Sequence, residues 1–278
     1  MSRVSRVVLH RAETAPGRHE TLAIDGGALV DPATVDAGWD AVDLQGRAVL
    51  PGLADHHIHL FGLGAALQSV DLSPDALEAA GGLGPALSTA RRHHPEGWLR
   101  GVDYDVSTSG PLDRRALDAT GAGPVRVQDR TGISWTLDSR ALDEVLPSDR
   151  RDWPTGVEVD DEGGASGVLV RLDAWLRERV EAEPVDLARV GALLAASGIT
   201  AVTDAGADNT SADLRAMDAA HLPLRVVAMT RDPHTRSEGS VVAGPVKVLL
   251  DDADLPSLHD LTARVAAAHD AGRSVAVH

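Results

Sequence analysis

No cysteine occurs among the 278 residues. That excludes disulfides and thiolate metal ligands, and it makes a reducing cytoplasm the expected location. No apolar stretch is long enough to span a bilayer. The first residues, Met1-Ser2-Arg3-Val4-Ser5, lack the apolar centre of a secretion signal. Basic charge is outweighed: 26 lysines and arginines stand against 42 aspartates and glutamates, for a formal net charge of −16 and a pI near 5.0. Such an excess argues against nucleic acid or an anionic membrane surface as a partner. Lysine is scarce, so a lysine in an apolar setting stands out. Hydrophobic residues, in contrast, make up 43% of the chain, enough for a sizeable core in one large domain or two smaller ones.

The chain is organised around Ala48-Val49-Leu50-Pro51-Gly52-Leu53-Ala54-Asp55-His56-His57-Ile58-His59-Leu60. An apolar run meets a Pro-Gly break and then a short segment with three histidines. On an extended segment side chains alternate, so Asp55, His57 and His59 point one way and His56 the other. Two imidazoles two residues apart can reach one ion, and a carboxylate on the same face can bind or orient them.

The Pro-Gly break followed by Asp-x-His-x-His-Leu resembles the opening of the amidohydrolase superfamily. The resemblance implies an α/β fold, a (β/α)8 TIM-type barrel, with His57 and His59 binding a metal at its mouth. Residues 1–49 read as short strands, Val7 to His10 and Thr21 to Ile24, with turn signals at Asp25-Gly26-Gly27 and Gln45-Gly46. Asp43 to Val49 reads as a hairpin feeding the histidine strand. In the resembled family such a leader is part of a small β-sandwich, and residues 50–278 are the barrel with a long insertion at about 61–184.

Within that insertion, Pro85 to His93 suits a helix, Ala116 to Ala119 ends another, Pro124 to Gln128 suits a strand and Ser139 to Val145 a helix. Trp153 to Gly167 reads as loop or hairpin, and Leu169 to Val180 as helix. Gly97-Trp98-Leu99-Arg100-Gly101-Val102-Asp103-Tyr104-Asp105 and the stretch from Pro124 to Leu142 resemble blocks of the family-3 branch, which includes formamide deformylase-like and aryl-amidase-like enzymes. Ser166-Gly167-Val168-Leu169 resembles a third. Ile133 and Asp138 stand where that branch has histidine and asparagine.

From Asp186 helix and strand alternate. Leu187, Val190, Leu193 and Leu194 form a helical stripe stopped by Gly198. Strands follow at Ile199 to Asp204, Leu224 to Met229, Val246 to Leu250 and Ser274 to His278. Ser211 to Ala220 reads as a helix, and Ser257 with Asp260 caps another that Gly272 stops. This is the pattern of βα units on a parallel sheet. With the histidine strand as the first, five barrel strands are present. The resemblance therefore implies a barrel truncated after strand five, with the expected strand-six histidine and strand-eight aspartate beyond His278. The alternative to a working hydrolase is an incomplete, non-catalytic metal-binding fragment.

Lys247 lies in Pro245-Val246-Lys247-Val248-Leu249-Leu250, and a lysine amid an apolar strand is costly to bury. It is ion-paired, or snorkels to solvent, or serves a site. The resemblance implies a lysine carboxylated by carbon dioxide that bridges two metals. His278 ends the chain on the face of Ser274 and Ala276. Terminal residues often fray, whereas the resemblance implies a ligand of the second metal. Asp204 ends the second barrel strand, as a substrate-side acid or a helix cap. Trp98, Tyr104 and Trp135 line a pocket or pack locally. The expected metal set is thus His57, His59, Lys247 and His278, with Asp55, Asp204 and the three aromatics around it. One or two divalent ions are expected, zinc first, although manganese, iron or nickel also suit such ligands. The implied reaction is hydrolysis of a non-peptide C–N bond in a small molecule by a metal-bound hydroxide, by a chain that self-associates if its sheet edges stay open.

Overall fold

The computed structural model describes residues 6–180, 184–250 and 255–278. Its first sheet joins β1 (Arg6–Ala15), β2 (Arg18–Asp25), β3 (Ala28–Val30) and β4 (Asp40–Asp43) in the order β3-β2-β1-β4. β1 and β2 form an antiparallel hairpin, with Val8, Ala12 and Ala23 buried. β4 lies parallel to β1, which overturns the hairpin expected at Asp43 to Val49. After Gln45-Gly46 the chain keeps its direction, and Ala48 still bridges Glu13 in parallel. Gln45 and Arg11, on the facing strand, are both left-handed, so the Gln45-Gly46 turn signal is used as a kink within one ladder. The described strands of the leader thus form one four-stranded sheet.

The histidine strand, β5 (Leu53–Ile58), leads into helix α1 (Leu60–Leu67). The insertion then builds β6 (Val70–Asp71), α2 (Pro74–Ala80), α3 (Leu83–His93), β7 (Leu99–Tyr104), α4 (Val106–Ser109), α5 (Arg114–Asp118), β8 (Val125–Asp129), β9 (Ser134–Leu137), α6 (Ser139–Val145), β10 (Val157–Val159), β11 (Ala165–Val170) and α7 (Asp173–Arg177). Its strands form one six-stranded sheet, β10-β11-β9-β8-β7-β6, so a stretch whose periodicity is weak is in fact a sheet with its own cores. Leu72, Leu87, Leu117 and Val125 fill one core, and Trp135, Leu137, Leu169 and Leu176 fill the other. The helix expected from Leu169 to Val180 begins later. Leu169 and Val170 pair with Trp135 and Ser134, because alternate burial along β11 follows the two-residue period of a strand. Left-handed Arg171 then ends the strand, and α7 is only five residues long.

Asp138 shows how this layer is tied. It is 3% exposed and caps α6, with Oδ1 accepting the N–H groups of Ala141 and Val125, each at 3.0 Å. One carboxylate oxygen thus joins the start of β8 to the first turn of α6. We expect Asp138→Ala to cost about 2–3 kcal/mol, since it removes a cap and orphans a buried strand donor. Asp138→Asn keeps an acceptor and should cost less. Urea midpoints measure both, and an alanine variant with the parent's midpoint would refute this role.

The third sheet is parallel. α8 (Leu187–Ala196), β12 (Ile199–Asp204), α9 (Ser211–Ala219), β13 (Arg225–Thr230), β14 (Val242–Val248), α10 (Leu258–Asp270) and β15 (Val275–Val277) follow in turn. The strand order is β15-β14-β13-β12-β5. Sequential order, with helices before β12, β13 and β15, is the pattern of βα winding, and the sheet curls as half of a barrel. Val202, Val226 and Ala228 meet Leu60, Val190, Leu194, Leu214 and Met217 in one core. β14 starts before Pro245, where sequence placed it after. The register slips between Ala228 and Thr230, and that irregularity accommodates a residue with no N–H to give to the ladder. No described helix is long and apolar enough to cross a membrane.

Candidate metal centre

β5 delivers two imidazoles to the carboxyl end of the parallel sheet. His57 lies within the strand, and His59, still extended at φ −118° and ψ 91°, is the N-cap residue of α1. Their ring centres are 5.6 Å apart, edge to face. The alternation is not regular through this segment. Val202 pairs with Asp55 and Asp204 with Ile58, so three steps on β5 match two on β12, as at a bulge. Asp55 lies opposite Val202, and its Oδ1 accepts the His57 N–H at 2.9 Å. Its carboxylate therefore braces the backbone of His57.

The third imidazole comes from the opposite edge. His278 follows β15, yet its ring centre is 5.8 Å from that of His57. Four strand spacings separate β15 from β5 in the ladder order, about 19 Å in a flat sheet. The curl of the half-barrel closes that distance. His278 is not frayed: its N–H donates to the Val248 carbonyl at 3.0 Å, and its carbonyl accepts from the Leu250 N–H at 2.9 Å.

Lys247 is the only lysine in the chain. It is 4% exposed and lies beside Ala276 of β15. Among the described residues it has no hydrogen-bonded or ion-paired partner. It borders an open cavity of about 440 Å³ lined also by Ala207, Arg231, Leu249 and Arg264. Partial burial of the ring holds the pKa of His59 below the usual histidine value. The Asp204 carboxylate opposes that shift, while His57, Lys247 and His278 add to it. These groups are therefore one electrostatic neighbourhood, in which a neutral His59 ring keeps a lone pair free.

Asp204 is 1% exposed and fully engaged. Oδ2 accepts the Leu60 N–H at 2.7 Å, while Oδ1 accepts from Asn209 Nδ2 at 2.7 Å and the Gly206 N–H at 2.9 Å. It caps a helix, but that helix is α1, 144 residues earlier, rather than the next one. The first turn of α1, directly after His59, is thereby pinned to the end of β12. Asn209, which also donates to the Met229 carbonyl at 3.0 Å, went unnoticed in the sequence because nothing local marks it. The three aromatics belong to the insertion. Trp98 donates to Glu144 at 2.8 Å, the Tyr104 hydroxyl donates to the carbonyls of Ser109 and Gly110, and Trp135 donates to Asp173 and has the guanidinium carbons of Arg100 and Arg126 at 5.4 Å and 5.0 Å from its ring centre. Each fills or borders an insertion core.

Among the described residues no three His, Cys, Asp or Glu side chains already converge on one point. The ring separations nevertheless fit shared coordination. A metal about 2.1 Å from a ring nitrogen lies roughly 3 Å from the ring centre, so two rings on one ion have centres within roughly 6 Å of each other. The 5.6 Å between His57 and His59 meets that bound, and the 5.8 Å between His57 and His278 brings the third ring beside the same place. Imidazoles beside an unpaired amine, with no thiolate, form a donor set that suits a borderline divalent ion.

A family profile described as the amidohydrolase family, of its third branch, matches residues 40–278. The chain belongs to the amidohydrolase family. Two solved structures are similar to this amidohydrolase: an uncharacterized metal-dependent hydrolase from Pyrococcus horikoshii OT3, at 19% identity and a TM-score of 0.67, and one from Pyrococcus furiosus, at 20% and 0.68. The alignments cover 99% and 98% of this chain, which spans 65% and 67% of those two. Comparison with curated proteins gives no match. At such identities the two structures bear on the fold alone.

Proposed function

We propose that this amidohydrolase is a metal-dependent hydrolase of small molecules that cleaves a carbon–nitrogen bond other than a peptide bond. The observation that carries the proposal is the meeting of His57, His59 and His278, from the two outer strands of the curled sheet, in one neighbourhood with buried Lys247. Barrel enzymes of this class gather their chemistry at the carboxyl ends of strands. His57 and His59 would hold one divalent ion, zinc first, and His278 a second. A bound ion supplies an acidified water as nucleophile and polarises the carbonyl under attack. His59, kept neutral by its surroundings, offers its ring nitrogen without first losing a proton. Lys247 would supply the bridge: once deprotonated, its amine would add to carbon dioxide, forming an N–C bond and releasing one proton to solvent. The carbamate would offer two oxygens where the chain has no thiolate to offer.

Zinc-loaded and chelator-treated protein, assayed for amine release on a panel of small amides and carbamates, tests the bond class. Release should require the ion. Cleavage of esters but of no amide would overturn the C–N assignment. The bridge has its own test. Because the chain has one lysine, protein equilibrated with ¹³C-labelled bicarbonate and zinc should give one side-chain carbamate resonance. Lys247→Met should lose that resonance and bind one zinc in place of two. A variant that still binds two ions would exclude Lys247 as a bridging ligand.

A further inference from the structure

The cavity beside Lys247 is basic, in a chain that is strongly acidic. Two of the described residues that line it are arginines, Arg231 after β13 and Arg264 on α10, and Lys247 is a third cation when uncarboxylated. Among the described residues no aspartate or glutamate lines it, although the chain carries 42 of them. Its volume, about 440 Å³, falls in the usual range for a small-molecule pocket. Arg231 gives Nη2 to Asp208 at 2.8 Å in a pair whose members are both mostly exposed, so that contact exchanges readily with water or a ligand. Arg264 has no hydrogen-bonded or ion-paired partner among the described residues. A locally positive concavity on a negative protein focuses its field on anions, and the planar fork of a guanidinium matches a carboxylate through two parallel hydrogen bonds.

We propose that Arg231 and Arg264 select substrates with a carboxylate, held in this cavity so that the scissile C–N bond lies toward Lys247 and the histidines. The inference rests on the hydrolase reading above and gives it a substrate class: small amides or carbamates with a free carboxylate. Lys247 joins the two halves, since it borders the cavity and shares the electrostatic neighbourhood of His59. Carboxylation would remove its positive charge and leave anion recognition to the two arginines.

The test is a binding measurement on the zinc-loaded 278-residue protein with a matched pair of probes, succinamate and its neutral counterpart succinamide. Calorimetry or ligand-observed NMR gives both affinities, and zinc content is measured on the same samples. Succinamate should bind roughly tenfold or more tightly than succinamide, the usual worth of a hydrogen bond to a charged group, and added salt should shrink the preference. Arg231→Gln and Arg264→Gln should each remove most of that preference, with zinc content and succinamide affinity kept. Equal binding of the two probes to protein with a full zinc complement would overturn the proposal while the hydrolase reading stands. A preference that survives both substitutions would also overturn it, because the arginines would then be taken up by the chain's own acids. Protein that takes up no zinc yet still prefers succinamate through these arginines would uphold the anion site and sink the metal reading.

Discussion

Conversion of both His57 and His59 to alanine is expected to abolish stoichiometric zinc uptake and to leave the unfolding midpoint close to the parent's. Both side chains are solvent-accessible, and exposed substitutions of this kind usually move stability by no more than about 0.5 kcal/mol. Their loss should weaken the ion by roughly a hundredfold or more, because even outer-shell partners of metal ligands are worth tenfold to a hundredfold in affinity. His278→Ala should spare the first ion and weaken the second, since its ring approaches His57 from the far edge of the sheet. Equilibrium dialysis against zinc with elemental analysis reads all three variants. A double variant that binds zinc as the parent does would move the site elsewhere in the chain.

Asp204→Ala should have the opposite profile, a large loss of stability with every proposed ligand still present. Three donors converge on this one buried carboxylate: the Leu60 N–H, the Gly206 N–H and the Asn209 amide. Removal of the carboxylate orphans them together. At about 1–3 kcal/mol for each unsatisfied buried donor, partly relieved by relaxation, we expect a loss of about 3 kcal/mol or more. For a chain of this size that lowers the melting temperature by roughly 6–12 °C. Zinc affinity should fall too, because the turn of α1 that follows His59 would no longer be tied to β12. Asp204→Asn should fall between the two, since its amide presents a donor where one of the three already points. A loss under about 1 kcal/mol in Asp204→Ala would mean that water replaces the carboxylate, and the positioning role would be withdrawn.

Local signals in the chain were read well wherever the physics is local. Helix α6 begins at Ser139 because Asp138 caps it, and α8 carries the Leu187-Val190-Leu194 stripe and stops before Gly198. β12 runs from Ile199 to Asp204 as expected. The misses have a common cause. β6, β7 and β9 are short, and their pairing comes from strands far along the chain or across a turn, so the six-stranded insertion layer left little periodicity to find. Leu169 and Val170 look helical beside Leu172 and Leu176, and only their pairing with β9 makes them strand. β4 runs parallel to β1, and past it the N–H groups of Leu44, Gly46 and Val49 still go to His10, Arg11 and Glu13 of β1, so the turn at Gln45-Gly46 does not reverse the chain.

The kinds of chemistry open to this protein follow from sequence alone: no thiolate, one lysine within an apolar strand, and two imidazoles two residues apart after a Pro-Gly break. Residue type and spacing along one strand decide these, and no fold is needed to see them. Which groups meet is a different matter. His57 and His278 lie on strands four ladder spacings apart, and only the curl of the sheet brings their rings to 5.8 Å. Asp204 could have been an acid facing substrate or a cap, and tertiary structure made it a cap for a helix 144 residues away, with Asn209 as its partner. The slip in register against β12 falls between Asp55 and Ile58, within the histidine strand itself. Contacts of this kind depend on how strands are paired and bent in space, and a single strand's sequence carries no record of its neighbour's register.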